Sequence, residues 1–492
     1  MSFLGYLLIL LSVSFFIQRH LWAALLVLPM LLTFAASAVS LITSTRPRRT
    51  TLIEHRVRVA QWRPETHPSV DVFLPSAGED LAVLANTYRH VSGLRWPGPL
   101  QVHVLDDSAR PEVAELASAY NFRYLSRPNR GQFKKAGNLR FGFDHTAGEL
   151  ILILDADFVP RSDLLAELAP YFDDEAVGIV QSPQYFDATP KMNWLQRAAG
   201  ATQVLFYRWV QPARDRSDAA ICVGTSALYR RQSLARAGGF AQIGHSEDVH
   251  TGVKLMQSGS TVRYVPIVVT KGLCPDTFSQ FVTQQYRWCT GSMSLLFSRS
   301  FHRTPMRRLQ RLSYWSGFLY YITTAVNVFV AAIPPILMGY FAPGQVRPAN
   351  YVFVTLAIVS RQTIIPLITH GRDSLFGLAR IQTTYSFAHA LALLDVLRGR
   401  TDAWVATGSK ARSKTSVRVH RVAAIWLVSV QVLLWTAIFW HAPHYGWHRY
   451  WPMAAFALIA LYVTYPIALG RAETPVRLRR RAATETAAEV VA

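Results

Sequence analysis

Cysteine is scarce: the three present, Cys222, Cys274 and Cys289, are scattered and show no CxxC spacing. That argues against a disulfide framework and against a cysteine-ligated zinc site. Acidic residues are also in deficit, 30 Asp and Glu against 51 Lys and Arg, for a formal charge of +21. No basic patch interleaves base-stacking aromatics in a recognisable binding module, so nucleic acid is not the partner this charge implies. The first residues carry no charged n-region and no clear cleavage site, which disfavours a cleaved signal peptide. What the chain has instead is segregation. Hydrophobic residues make up 51% and are concentrated near both ends, while charge lies in the middle and in short basic runs. This is the pattern of a membrane protein with a polar domain between its spans.

The polar domain is organised around Ile151 to Pro160, ILILDADFVP. A short apolar run bounded by Gly148 and Glu149 reads as a fully buried parallel strand. It delivers Asp155 and Asp157 to the carboxyl end, where open α/β sheets bind ligands. Two carboxylates there suit a hard divalent ion that bridges phosphates, which points to a nucleotide-diphosphate site; a loop cap is the bland alternative. Upstream, VDVFLP, a helix through Leu81 to Val91, LQVHVLDDS, a helix through Glu112 to Tyr120 and FRYLS alternate as βαβ units do, predicting a parallel sheet. The first of these strands ends in Ser76 and Glu79 and the second in Asp106 and Asp107, so three strand ends bring polar groups to one edge.

Further candidates follow in order. Lys134 and Lys135, in a loop leading into a helix, are placed to reach phosphate oxygens or else belong to a solvated basic loop. Gly224, with small hydroxyl neighbours, suits a backbone that closely approaches a ligand. Gly244 to Asp248 opens a helix running from Val249 to Gln257. Its Ser246 or Asp248 either caps that helix or, for a carboxylate facing the Asp155 site, serves as a general base. Gln284, Arg287 and Trp288 share one helical face, suited to phosphate and to a sugar ring, or to a membrane interface.

Residues 2 to 43 read as a helical hairpin, followed by the cytoplasmic run Arg46 to Arg49. Spans recur at Tyr314 to Tyr340, Tyr351 to His370, Val422 to His441 and Trp451 to Leu469, giving six with both termini inside. The expected organisation is a transmembrane hairpin (1–45), a cytoplasmic domain (46–312), a hairpin (313–371), a cytoplasmic segment (372–421), a hairpin (422–470) and a basic tail (471–492). Residues 374 to 397 read as an amphipathic interfacial helix. Arg361, with Trp315, Tyr320, Tyr321 and Asn327, is a candidate channel lining or a packing cluster.

Taken in order, VDVFLPSAGED, DDS, KKAGN, DAD, SED and QQYRW make the chain resemble the processive family 2 glycosyltransferases of the cellulose synthase type. The resemblance implies an α/β GT-A-type domain inserted between transmembrane α-helices, sited in the inner (plasma) membrane with its catalytic domain cytoplasmic. It implies an inverting enzyme that polymerises a β-linked polysaccharide from a UDP-sugar such as UDP-glucose and translocates it. Transfer to a lipid carrier and an inactive scaffold of an export complex are the alternatives. Position by position, Ser76, Glu79, Asp106 or Asp107, Lys135 and Asp155 would contact the donor, and Asp155 with Asp157 would hold Mg²⁺ or Mn²⁺. Asp248, beside Glu247, would be the catalytic base; Gln284 and Arg287 would hold the pyrophosphate and Trp288 the terminal sugar. Trp404, Thr407 and Lys410 resemble the family's gating loop, the Lys lying one residue late. Ala77-Gly78 stands where the family has a Tyr-Asn pair beside the uracil. The implied partners are the donor, the growing polymer, the bilayer and possible export subunits. The short tail has no room for a regulatory β-barrel.

Overall fold

The computed structural model describes residues 26–186, 192–352, 354–356, 375–400 and 413–470. Among the described residues ten strands form two sheets: β1 (Val70–Ser76), β2 (Leu100–Asp106), β3 (Arg123–Leu125), β4 (Leu150–Ile153), β5 (Phe158–Pro160), β6 (Val177–Gln181), β7 (Tyr185–Phe186), β8 (Ala227–Arg230), β9 (Thr261–Tyr264) and β10 (Thr270–Gly272). The larger sheet has the order β3-β2-β1-β4-β8-β6-β9, the smaller β5-β10-β7.

β1 pairs in parallel with β2, from Val70 opposite Leu100 to Ser76 opposite Asp106, and with β4 up to Phe73 opposite Ile153. β4 therefore stops three residues before β1 does. The all-parallel expectation fails at β8, which runs antiparallel between β4 and β6. The reversal has a consequence at the cleft. An antiparallel strand starts where its neighbour ends, so Gly224 to Ser226 lie against the end of β4, with the Ser226 amide donating to the Ile153 carbonyl at 3.0 Å. The run read as one strand to Pro160 also divides. It ends at Ile153, Asp155 to Asp157 turn away, and Phe158–Pro160 pairs with β10 in the second sheet.

Strand alternation sets the core. Val72, Leu74, Val104 and Leu152 pack on one face with Leu84, Tyr88 and Val91 of helix α1 (Leu81–Val91). On the other, Phe73, Leu105, Ile151, Ile153 and Tyr229 pack with Leu139 of α2 (Lys134–Asp144). Asp248 belongs to α3 (Glu247–Gln257), and the QQYRW residues to α4 (Phe278–Leu296).

Among the described residues four helices are long and apolar enough to cross a membrane: Val27–Ser44, Arg308–Phe341, Lys414–Tyr445 and Trp447–Ala468. The first packs on the second, where Thr33 and Asn327 exchange hydrogen bonds of 3.0 and 3.1 Å. The last two form a hairpin turned at Gly446, whose φ of +94° favours glycine. The first span of the expected six, most of the Tyr351 to His370 span, Arg361 and the basic tail lie outside the described residues.

Helix α5 (Leu375–Leu397) covers the segment expected as an interfacial helix. It packs among α4, Arg308–Val330 and Lys414–Tyr445, burying Leu378, Ile381, Phe387, Ala388, His389, Ala392 and Asp395. Its apolar residues run round the helix rather than along one stripe, which suits burial better than a flat interface.

Candidate active site

The turn after β4 carries Asp155 and Asp157, and its fixed points are backbone contacts. The Phe158 amide donates to the Asp155 carbonyl at 3.0 Å, and the Asp155 amide donates to Thr225 Oγ1 at 2.9 Å. Lys135, in the first turn of α2, donates from Nζ to Asp155 Oδ1 at 2.5 Å and to the Gly224 carbonyl at 2.8 Å; Glu247 Oε1 lies 3.7 Å away. Burial opposes the Lys135 charge, but Asp155 and Glu247 outweigh it and raise its pKa above the ordinary lysine value. It is a fixed cation.

The opposing acidic groups behave differently. Burial, helped by Asp155, pushes the Asp157 carboxyl up to about 7. Burial and then Glu247 raise Asp248 well above the usual carboxylate range. Asp248 sits at the start of α3 after Ser246, whose φ of +48° turns the chain into the helix. A Cβ at Gly224, φ +75°, would lie 2.8 Å from the Asp248 Cβ, so the glycine lets Asp248 approach.

Across the cleft, Gln284, Arg287 and Trp288 line one cavity from α4 together with the buried Gln285, while Tyr286 is buried away from it. Burial lowers the Arg287 pKa, and its surroundings are the carboxylates of Glu247, Asp155, Asp248 and Asp157. Among the described residues Arg287 Nε is buried without a hydrogen-bond partner, as expected of a donor awaiting an anion. A divalent cation fits the Asp155 and Asp157 pair. No group of three or more His, Cys, Asp or Glu forms a closed metal cage among the described residues. Two carboxylates with phosphate and water completing the shell are what Mg²⁺-type ions commonly use.

The remaining expected residues divide. Asp107 lines the cleft, its oxygens accepting from Arg127 at 2.6 and 2.8 Å and from the Gly131 amide at 3.1 Å. Asp106 does not line it: both oxygens are taken inside the protein by Ser76, Ser108, the Arg110 amide and Tyr124. Ser76 lines the cleft while bonded to Asp106, and Glu79 folds back to accept from the Ala77 amide at 2.6 Å. Trp404, Thr407 and Lys410 lie outside the described residues. Sequence reasoning missed Arg127, since a lone loop Arg carries no distinguishing pattern, and reached Thr225 only as a hydroxyl neighbour of Gly224.

These groups open onto a cavity of about 2860 Å³ that passes Asp248 and Trp288 and continues between the long apolar helices past Tyr320, Tyr321 and Asn327 to Met338 and Tyr351. Trp315 instead packs against Phe318, with ring centroids 5.9 Å apart.

The family model described as "Glycosyl transferase family group 2" matches residues 150–367. Cellulose synthase 1 of Komagataeibacter xylinus is 31% identical over 303 residues, 57% of this chain and 19% of that protein. The cellulose synthase catalytic subunit (UDP-forming) of Pseudomonas fluorescens is 33% identical over 271 residues, 54% of this chain and 36% of that protein. Residues 150–367 thus match a family 2 glycosyltransferase model, and the chain is similar to cellulose synthase catalytic subunits. It matches 19% and 36% of the length of these two curated relatives, so the likeness concerns the domain. A solved mannosyltransferase from Pyrobaculum calidifontis, in complex with GDP-Man and Mn²⁺, superimposes with a TM-score of 0.52 at 16% identity, covering 75% of this chain and 99% of that one. The glycosyltransferase domain thus has a GT-A-like fold, with a mixed rather than parallel sheet.

Proposed function

We propose that the chain is an inverting, processive glycosyltransferase that extends a β-linked polysaccharide from a nucleotide-diphosphate sugar and passes the product into its own membrane helices. The observation that carries this reading is convergence. Asp155, Asp157, Lys135, Asp248, Arg287 and Trp288 meet at the mouth of a cavity that continues between apolar helices. A relative is named UDP-forming and the solved mannosyltransferase holds GDP-Man with Mn²⁺; a uridine sugar such as UDP-glucose with Mg²⁺ or Mn²⁺ is the reading adopted for this chain.

In this mechanism Trp288 stacks on the terminal sugar of the acceptor and turns its hydroxyl toward Asp248. The Asp248 carboxylate takes the hydroxyl proton as the oxygen attacks the anomeric carbon. The new glycosidic bond forms as the bond to the diphosphate oxygen breaks, with inversion. Arg287 and Gln284 hold the departing diphosphate, and Lys135 keeps the Asp155 carboxylate in place. Asp155 and Asp157 would hold a divalent ion, which would supply further neutralisation of diphosphate charge. The domain at 46–312 is proposed to face the cytoplasm of an inner membrane, with the polymer leaving through the spans.

The deciding experiment is turnover of the purified chain in nanodiscs with labelled uridine- and guanosine-diphosphate sugars and Mg²⁺ or Mn²⁺. A glycosidase-sensitive polymer is the expected product. A product extractable into organic solvent would move the assignment to lipid glycosylation, and silence with intact donor binding would point to a scaffold.

A further inference from the structure

We propose that Phe133 is the stacking platform for the donor nucleobase. The inference rests on the donor-site reading above and adds the residue that stands in for the aromatic missing at Ala77-Gly78.

Strand order locates the nucleobase end of the cleft. With the diphosphate at Asp155, the next strands are β1 and then β2. At about 4.8 Å per strand, the end of β2 lies roughly 10 Å from the end of β4, the reach of a ribose and a base. Among the described residues this region has open space beside two glycines. Gly78 (φ +104°) and Gly131 (φ +79°) each have nothing within 4 Å of where a Cβ would sit. Among the described residues Phe133 lines the cavity beside Gly131 and Lys134, and it is 43% exposed.

An isolated exposed Phe would need no explanation. This one is held in place. Phe133 and Lys134 both have φ of +52°, a left-handed conformation that disfavours residues with a Cβ. Such strain persists only where surrounding structure imposes it. Here the agent is Arg127, 2% exposed. It binds Asp107 through both carboxylate oxygens and donates to the carbonyls of Gln132 at 2.6 Å and Lys134 at 3.2 Å, one on each side of Phe133. A Cβ at Gly137 would overlap the Arg127 guanidinium, so that glycine keeps its seat open. A buried cation thus fixes the loop to the end of β2 and leaves the Phe133 ring in the cleft.

A ring presented this way matches the π-face that every nucleobase has, and stacking of this kind tolerates different bases. The test is calorimetric binding of UDP, GDP and base-free pyrophosphate, each with Mn²⁺, to the full chain in detergent. Phe133→Ala is expected to weaken both nucleoside diphosphates roughly 10-fold while leaving pyrophosphate unchanged, and Phe133→Tyr to restore them. Unchanged UDP and GDP affinity in Phe133→Ala overturns the proposal. So does equal weakening of pyrophosphate, which would mean the ring merely supports the loop. Failure of the wild-type chain to bind either nucleoside diphosphate would remove the donor-site reading itself, and the role of Phe133 with it.

Discussion

At the scale of single residues, the two cleft aspartates with raised pKa values, Asp157 and Asp248, make different demands. Asp248 must be ionised to accept a proton, yet burial and Glu247 favour its neutral form. Turnover should therefore fall as pH drops, with an apparent pKa well above the ordinary value of about 3.9 for an aspartate. Asp248→Asn should lower turnover by about 10²-fold or more and leave donor affinity nearly intact; normal turnover by that variant would take the base role away from Asp248. Asp157 couples protons to the cation instead. Its folded-state pKa of about 7 lies above that of the unfolded chain, so without metal the protonated folded form is favoured. Stability from this group is present at low pH and lost as pH rises toward 7. A divalent ion reverses the sign, because it binds the carboxylate. The melting temperature should rise with Mn²⁺ above pH 7 and lose that increment at about pH 5, while Asp157→Asn should show little Mn²⁺ effect at either pH.

At the scale of elements, α4 links the site to the helices behind it. Its cleft face was legible in the sequence because Gln284, Arg287 and Trp288 repeat at helical spacing. Its other face was not, since the partner is 109 residues away: Tyr286 donates to Asp395 Oδ2 at 2.9 Å. Asp395, 1% exposed on α5, is also paired with Arg418 at 2.8 and 3.0 Å. Asp395→Ala should cost about 2 kcal/mol in thermal unfolding, less than a fully buried pair because the Arg418 side chain is 39% exposed. Tyr286→Phe, which keeps the ring, should lose less. A second constraint on α4 is steric. A Cβ at Gly291 would overlap Ser246, two residues before Asp248. Alanine favours a helix over glycine by about 1 kcal/mol, so Gly291→Ala should retain the helix yet displace the base. The expected result is kcat reduced at least 10-fold with donor KM little changed; an equal change in both would mean a general disturbance.

At the scale of the whole molecule, what the sequence made legible was order: carboxylates at strand ends, then the α3 and α4 motifs, then apolar spans. Motif side chains announce chemistry, and long apolar runs announce bilayer length. Strand direction was hidden, because Ala227–Arg230 is as apolar as a parallel neighbour would be and the reversal is decided by the route of the preceding chain. The setting of α5 was hidden for a related reason, since apolar residues do not name what they pack against. The continuity of the cavity belongs to this scale too, because it joins helices from both ends of the chain around one domain. Thr33, Ala36, Ser37 and Ser40, on the first described membrane helix, give it a wall of small side chains. If that wall borders the product path, Ser37→Trp should shorten the polymer while leaving transfer of the first sugar to a short acceptor near wild-type rates. Both can be measured in one reaction by sizing the product at limiting and at excess donor. Full-length polymer from the Trp variant would mean that the product leaves by another route, and loss of the first transfer as well would place Ser37 in support of the catalytic cleft.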